Sequence, residues 1–165
     1  MAVSPCGTKL VAASGDGTTS AFALDPLGEA LCTLEGHSAP VTDAVITRKG
    51  WFAVTVSEDA SVRVWDFAAR HLPPPRWHEG RVHCLAARSG VAVASAGDDR
   101  AARLWSAVTG EFVALLEGHK VPVRWAAFSA DGRRLVTASP DRMVRIWDAD
   151  TAVCLSTLPG GWGLV

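Results

Sequence analysis

Hydrophobic and polar residues alternate along short segments of this 165-residue chain, and turn residues separate the segments. Residues 135–139 and 143–147 are two such segments, rich in β-branched side chains and separated by a turn that contains Pro140 and Asp141. Alternation with a period of two residues is typical of β-strands. Because no segment sustains apolar residues at the spacing of a helical face, the pattern predicts antiparallel strands and argues against helices.

The same unit recurs along the chain at a fixed interval. Three histidines are spaced 41 residues apart, and each is followed four residues later by valine; they are His37, His78 and His119. In every unit an aspartate lies six residues before an aromatic residue that ends a strand. These pairs are Asp16 and Phe22, Asp59 and Trp65, Asp99 and Trp105, and Asp141 and Trp147. Four strands per period of about 41 residues, separated by turns, describe one blade of a β-propeller.

This unit resembles the repeat of the WD-repeat proteins, which runs from a Gly-His pair to a Trp-Asp pair. Gly-His pairs stand at 36–37 and 118–119, and Trp-Asp pairs at 65–66 and 147–148. Three positions depart from the pattern: Trp77 precedes His78, Ser106 follows Trp105, and Phe22 replaces tryptophan. The resemblance implies an all-β segment of a β-propeller, residues 1–165, with four antiparallel strands per blade. The four expected blades are approximately 1–35, 36–76, 77–117 and 118–165.

Serine, histidine and aspartate recur together, as in a hydrolase triad. A catalytic site has no reason to occur once per repeat, so we expect no catalysis. In WD-repeat proteins the matching residues form a hydrogen-bonded tetrad that satisfies buried polar groups. The resemblance implies complete tetrads at His37, Ser57, Asp59 and Trp65 and at His119, Ser139, Asp141 and Trp147. The set His78, Asp99 and Trp105 is expected to be damaged, because Gly97 stands at the serine position.

Residues three and five positions after each histidine share one side of the first strand of a blade. In WD-repeat proteins that side faces the mouth of the central channel, and the residue before each turn aspartate joins it. The resemblance therefore implies a partner-binding rim made of Thr42, Glu58, Arg81, His83, Asp98, Pro122 and Arg124. Such a mixture of charges suits a protein or peptide partner, with arginine as an anchor.

Other side chains are expected to serve packing. Three arginines stand two residues before the repeated tryptophans, and we expect them between neighbouring blades; they are Arg63, Arg103 and Arg145. Trp51 and Trp125 are expected in the core or between blades. The four cysteines form no CxxC pair and are expected to be buried free thiols; they are Cys6, Cys32, Cys84 and Cys154.

The composition predicts no further chemistry. With 16 Lys and Arg against 17 Asp and Glu, the chain lacks the basic excess of a dedicated nucleic-acid binder. The spacing of His71, His78, His83 and Cys84 fits no metal site, and no glycine-rich phosphate loop precedes a helix. We expect no cofactor and no metal. The longest uncharged segment, 151–165, is too short to span a membrane and no secretory signal is evident, so a cytoplasmic location is predicted, with the nucleus as an alternative.

These features predict a non-catalytic scaffold that mediates protein-protein interaction. Two alternatives remain: a regulatory sensor propeller in a multidomain nucleotide-binding signalling protein, and a reader of nucleic acid or modified peptides that uses Arg81 and Arg124. WD-repeat proteins usually close a ring of about seven blades, so four blades leave two apolar faces open. The segment is therefore expected to be part of a larger protein, a closed unit, or half of a ring completed by self-association.

Overall fold

The computed structural model of the chain describes residues 1–25, 27–47, 52–67, 78–88, 92–107, 109 and 111–160. These residues form fifteen β-strands in four antiparallel sheets, with no helix among them. Sheet 1 contains β1 (Ala2–Val3), β2 (Lys9–Ala13), β3 (Thr19–Leu24) and β4 (Leu27–Leu34). Sheet 2 contains β5 (Val41–Ile46), β6 (Phe52–Ser57) and β7 (Val62–Asp66).

Sheets 3 and 4 have four strands each. Sheet 3 contains β8 (Val82–Arg88), β9 (Ala92–Gly97), β10 (Ala102–Ser106) and β11 (Phe112–Leu116). Sheet 4 contains β12 (Trp125–Phe128), β13 (Arg134–Ser139), β14 (Met143–Asp148) and β15 (Cys154–Pro159). Within each sheet the strands are neighbours in chain order. This confirms the predicted all-β segment of a β-propeller. The three consecutive prolines at 73–75 predict a loop in place of part of the fourth strand of the second blade, because proline cannot donate to a strand ladder. These residues lie outside the described residues.

An aspartate closes the hairpin turn at the centre of every sheet. The Asp59 Oδ1 atom accepts a hydrogen bond from the backbone N–H of Ser61 at 2.9 Å, and Asp16 and Asp141 make the same contact two residues on. The residue after the aspartate adopts a positive φ, as at Ala60 with φ 68°. Because a side-chain bond to the backbone two residues on stabilises such a turn, the aspartate repeats with the hairpin.

The sheets stack face to face, and each interface is an apolar cluster. Trp65 packs between sheets 1 and 2 with Val11 and Leu34. Trp105 lies between sheets 2 and 3, and Trp147 lies between sheets 3 and 4. The repeated tryptophan of sheets 2, 3 and 4 therefore faces the preceding sheet. The first strands β5, β8 and β12 pack beside one another, which gathers their N-terminal ends into one region.

Two packing expectations are wrong. Trp125 is 66% exposed, because it lies on the face of sheet 4 opposite Trp147, and that face is not covered by any described strand. The four cysteines are free, but Cys6 and Cys154 are exposed, since they lie in a turn and on an outermost strand. Trp51 lies outside the described residues.

Buried tetrads and a candidate interaction rim

A chain of hydrogen bonds crosses the interior of sheet 2. The Trp65 indole N–H donates to Thr55 Oγ1 at 2.8 Å, and Thr55 Oγ1 lies 2.8 Å from His37 Nε2. The His37 Nδ1 atom lies 2.9 Å from a carboxylate oxygen of Asp59. Because a carboxylate accepts and does not donate, Nδ1 carries the proton, and the threonine hydroxyl donates to Nε2. Every polar atom of the imidazole is thus satisfied.

Sheets 3 and 4 repeat the same chain of contacts. In sheet 3, Ser95 Oγ lies 2.7 Å from Trp105 Nε1 and 2.8 Å from His78 Nε2, while His78 Nδ1 lies 2.9 Å from Asp99. In sheet 4 the residues Trp147, Thr137, His119 and Asp141 are joined by three distances of 2.9 Å. All three tetrads are therefore complete.

The hydroxyl residue of the tetrad was assigned to the wrong position. Ser57 and Ser139 were expected to join histidine to tryptophan, but Thr55 and Thr137 do so. Ser57 lies one pleat further along the same strand face, beyond reach of the indole, and its Oγ donates to the Ala39 carbonyl at 2.9 Å. Ser139 Oγ likewise donates to the Pro122 carbonyl at 2.9 Å.

For the same reason the tetrad of sheet 3 is not damaged, because Gly97 occupies the turn position and Ser95 supplies the hydroxyl. A signal for the correct residue is present in the sequence. A serine or threonine stands ten residues before each of Trp65, Trp105 and Trp147. Ala12 stands at that place before Phe22, so sheet 1 lacks the hydroxyl.

Burial and hydrogen bonding act in opposite directions on the tetrad carboxylates. Burial raises the pKa of Asp59, but hydrogen bonds from Ser61, Ser38 and His37 outweigh it and lower the pKa to about 2. Burial likewise raises the pKa of Asp99, but hydrogen bonds from His78 and Arg103 and the positive charge of Arg103 outweigh it and lower the pKa to about 2. Each tetrad therefore holds a carboxylate anion at neutral pH.

Burial also lowers the pKa of His37 and His78, against the opposing effect of their aspartates. The imidazoles are consequently neutral at neutral pH. Although Ser57, His37 and Asp59 lie near one another, Ser57 Oγ makes its bonds to Ala39 O and the Asp59 N–H, not to the imidazole. Ser57, His37 and Asp59 therefore do not form the arrangement of a hydrolase triad.

The three repeated arginines approach the tetrads from outside. A Cβ atom at Gly36 would lie 2.5 Å from Arg63 Nη1, and one at Gly118 would lie 2.8 Å from Arg145 Nη1. Both glycines have positive φ, 149° and 145°, a conformation that disfavours other residues. Glycine is therefore required before the histidine both for this φ and for the close approach of the arginine. Arg103, in the repeat that has Trp77 at the glycine position, forms an ion pair with Asp99 instead.

Five of the predicted rim residues form one row of charged contacts across sheets 2 to 4. The Arg81 guanidinium of sheet 3 lies 2.8 Å from a carboxylate oxygen of Glu58 in sheet 2. Asp98 lies 2.6 Å from His83 Nε2, and Arg124, beside sheet 4, donates to His83 Nδ1 at 3.1 Å. The side chains of Arg81, Glu58 and Asp98 are 48%, 37% and 41% exposed. We name these five residues the charged row.

The remaining two rim residues support the row without joining it. The Thr42 hydroxyl donates to the Val82 carbonyl at 2.8 Å and so links sheet 2 to sheet 3. The Pro122 carbonyl accepts a hydrogen bond from the Ser139 hydroxyl at 2.9 Å. Backbone bonds fix the row as well, since the Asp98 N–H donates to the Arg81 carbonyl at 2.9 Å.

Other kinds of site find no support in the described part of the chain. It contains no cluster of three or more histidine, cysteine, aspartate or glutamate side chains able to hold a metal ion. His71 lies outside the described residues. Among those same residues there is also no helix with the length and hydropathy needed to cross a membrane.

Comparison with known families agrees with this architecture. Residues 28–66 and 110–148 match the family described as WD domain, G-beta repeat. Together with the four antiparallel sheets, these matches confirm the resemblance stated above. The chain belongs to the WD-repeat proteins.

Known proteins similar to the chain are longer than it is. The nuclear distribution protein PAC1 of Arthroderma benhamiae is 30% identical over 162 residues, which cover 90% of this chain and 35% of that protein. Human transducin beta-like protein 2 is 32% identical over 123 residues, which cover 69% of this chain and 28% of that protein. The U5 small nuclear ribonucleoprotein 40 kDa protein of Dictyostelium discoideum is 32% identical over 147 residues, which cover 86% of this chain and 41% of that protein. The chain thus spans well under half of each relative.

Proposed function

We propose that this WD-repeat segment is a non-catalytic scaffold and that the charged row contacts a protein or peptide partner. The observation that supports this proposal is the row itself. Arg81 pairs with Glu58, His83 contacts Asp98 and Arg124, and the Asp98 N–H donates to the Arg81 carbonyl, which joins the two groups across three sheets. Fixed side chains of this kind lose little conformational entropy on binding. The partner therefore binds side chains that the fold already holds in place.

The alternation of charge favours a partner that carries charges of both signs. Arg81 meets Glu58, and His83 lies between Asp98 and Arg124, so each cation of the row has an anion or an acceptor beside it. A phosphate backbone needs a run of unpaired cations, and the chain has a net charge of -1. A peptide with charges of both signs can replace an ion pair within the row by ion pairs between the row and the peptide. This fits the proposed scaffold better than a nucleic-acid reader.

The tetrads have a different role in this proposal. Their histidine and aspartate side chains are at most 8% exposed, and each polar atom has a partner within the sheet. A group without access to substrate cannot act on it. We therefore assign the tetrads to stability and not to catalysis.

Binding of the row can be tested by selecting peptides from a random displayed library on the immobilised 165-residue chain. We expect selected peptides to lose at least about tenfold in affinity on Arg124→Glu, the loss of one charge-assisted contact. Arg133→Glu is the matched control, because Arg133 is an exposed arginine in the turn at the other end of β12. Peptides that bind the Arg124→Glu chain as tightly as the parent would contradict the proposal.

A parallel titration separates the nucleic-acid reader. Fluorescent single-stranded RNA and duplex DNA are added at two salt concentrations. The scaffold predicts weak binding, whereas binding that is tight, strongly reduced by salt and abolished by Arg124→Glu would favour the reader. The sensor role concerns the rest of a longer polypeptide, and it remains a prediction.

We propose a cytoplasmic location for the scaffold, with the nucleus as the alternative. Two relatives, a nuclear distribution protein and a small nuclear ribonucleoprotein, support that alternative by their names. Microscopy of a fluorescent fusion in cells distinguishes the two, because exclusion from the nucleus would support the first and nuclear accumulation the second.

A further inference from the structure

Sheet 4 presents an apolar face that is not covered by any described strand. Strand pairing places seven side chains on this face: Trp125, Ala127, Val136, Ala138, Val144, Ile146 and Leu158. Trp125 is 66% exposed and Leu158 is 46% exposed. We name this surface the trailing face. A contiguous apolar surface of this kind marks an interaction site in a folded protein.

The same repeat positions are covered in the preceding sheets. Val136 and Ile146 correspond to Val54 and Val64 in sheet 2, counting back from the repeated tryptophan. Those two valines are 0% and 2% exposed, because the tryptophan-bearing face of sheet 3 packs on them. The trailing face is therefore one half of an interface that the chain already forms three times.

Sheet 1 presents the other half. Leu10 and Phe22 are paired across β2 and β3, on the side opposite Val11 and Ala21, which pack on sheet 2. Phe22 holds the position of the repeated tryptophan, and Ala12 holds that of the tetrad hydroxyl. We name this surface the leading face. It lacks both the indole N–H and the hydroxyl of the other sheets, so it can be covered by apolar residues without a tetrad.

The two faces of one copy do not cover each other. Trp125 on the trailing face remains 66% exposed, and Val3, which pairs with Leu10 beside the leading face, remains 56% exposed. Each face is therefore open to a partner in the structure of this chain. The partner must present the complementary side of a blade, and this chain carries both sides.

We propose that a second copy of this chain covers both faces, with the trailing face of each copy packed on the leading face of the other. The product is a head-to-tail ring of eight blades, which is within the range of known propellers. A head-to-tail contact between copies closes into a ring when the rotation allows it, and two such junctions then bury all four open faces. This inference does not depend on the charged row, because the row lies on sheets 2 to 4 of one copy.

The solution mass of the 165-residue chain tests the proposal. Light scattering across a concentration series is expected to give twice 17.4 kDa, independent of dilution through the micromolar range. A mass of 17.4 kDa throughout that range would overturn it.

Substitutions on the two faces test the orientation. Phe22→Asp and Ile146→Asp each place a charge in both junctions, so each variant alone is expected to be a monomer. Val113→Asp is the control, since Val113 is 57% exposed on the outermost strand of sheet 3. A dimer that persists in Phe22→Asp would overturn the head-to-tail arrangement. Trp125→Lys gives a second test with little risk to folding, because this side chain is already exposed in the single copy.

Mixing the two charged variants gives the sharpest result. An equimolar mixture of Phe22→Asp and Ile146→Asp contains one intact junction per pair, between the trailing face of the first variant and the leading face of the second. We expect the mixture to form a dimer of weaker affinity, although neither variant does so alone. A mixture of two folded variants, verified by circular dichroism, that remains monomeric would overturn the proposal.

Discussion

Sheet 3 contains two histidine–aspartate pairs whose aspartates are neighbours in the chain but whose environments differ. The side chains of His78 and Asp99 are 0% and 8% exposed, whereas those of His83 and Asp98 are 9% and 41% exposed. The two pairs have similar distances, 2.9 Å and 2.6 Å. The comparison shows that the two pairs differ in burial and in their further contacts, and not in the distance between histidine and aspartate.

The buried pair belongs to a chain of contacts that ends at a tryptophan inside the sheet. Removing one member leaves its neighbours without partners in a place that water does not reach. The rim pair ends at Arg124 beside sheet 4, and water can replace the contact that Asp98 loses, because this side chain is 41% exposed. We therefore expect the first pair to control stability and the second to control binding.

We expect the largest effect from acid, which should reduce the free energy of unfolding through the tetrad residues. The pKa of Asp59 and that of Asp99 are lowered from 3.8 to about 2, so both carboxylates stabilise the fold above about pH 4. This stabilisation, about 2 kcal/mol for each, is lost as the pH falls towards 2. Because burial lowers the pKa of His37 and His78, the unfolded chain takes up protons first, and the loss begins below about pH 6.5.

Urea unfolding at a series of pH values between 7 and 2 checks this expectation. The free energy of unfolding should fall slightly between pH 6.5 and 5 and steeply below pH 4. A free energy that stays constant from pH 7 to 3 would mean that the tetrad charges make no net contribution.

His78→Ala should have the largest effect among single substitutions in the two pairs. The change leaves Asp99 and the Ser95 hydroxyl without their imidazole partner, and we expect a loss of about 3 kcal/mol in the free energy of unfolding. His83→Ala is the matched control, and it should cost less than His78→Ala because Asp98 is 41% exposed and stays hydrated when its partner is removed. Chemical unfolding of both variants measures the difference, and equal losses would argue against separate roles.

Gly97→Ser tests whether the tetrad of sheet 3 is complete as it stands. A Cβ atom at Gly97 would lie 2.8 Å from the Arg81 carbonyl oxygen and 2.9 Å from His78 Nδ1. We expect a loss of about 1 to 2 kcal/mol from this overpacking, and no repair of a missing contact. Gly15→Ser is the control, since a Cβ there would have no atom within 4 Å. A thermal midpoint raised by Gly97→Ser would show that the serine position matters to the tetrad.

The smallest effect is expected at the ion pair between Arg81 and Glu58. Both side chains are more than a third exposed, so a double-mutant cycle with alanine should give a coupling below about 1 kcal/mol. The coupling should shrink further in high salt. A coupling above about 2 kcal/mol would place this pair with the tetrads and not with the rim.

The fold could be predicted from the sequence because the same pattern of residues recurs in each repeat. The interval of 41 residues between His37, His78 and His119 and the aspartate six residues before each aromatic fix the hairpins. The period of two along the strands fixes the sheets. The exposure of Trp125 could not be predicted in this way, because it depends on what lies beyond the last sheet.

The site was less accessible to the same reasoning. Thr55 and Ser57 share a strand face, and only the position of Thr55 carries a hydroxyl in all three repeats that have tryptophan. That this hydroxyl reaches the Trp65 indole depends on the distance between the two side chains, which the structure provides. Similarly, the rim positions follow from alternation, whereas the pairing of His83 with Asp98 depends on side-chain reach. Distances between strands therefore had to come from the structure.

The most direct test of the two roles compares Asp98→Asn with Asp99→Asn. The substitutions are chemically identical and adjacent in the chain, and they differ only in the pair they affect. We expect Asp99→Asn to lower the free energy of unfolding by about 2 kcal/mol and Asp98→Asn to lower it by less than about 1 kcal/mol. Losses of equal size, or a larger loss at Asp98, would contradict the assignment of the tetrads to stability and the charged row to binding.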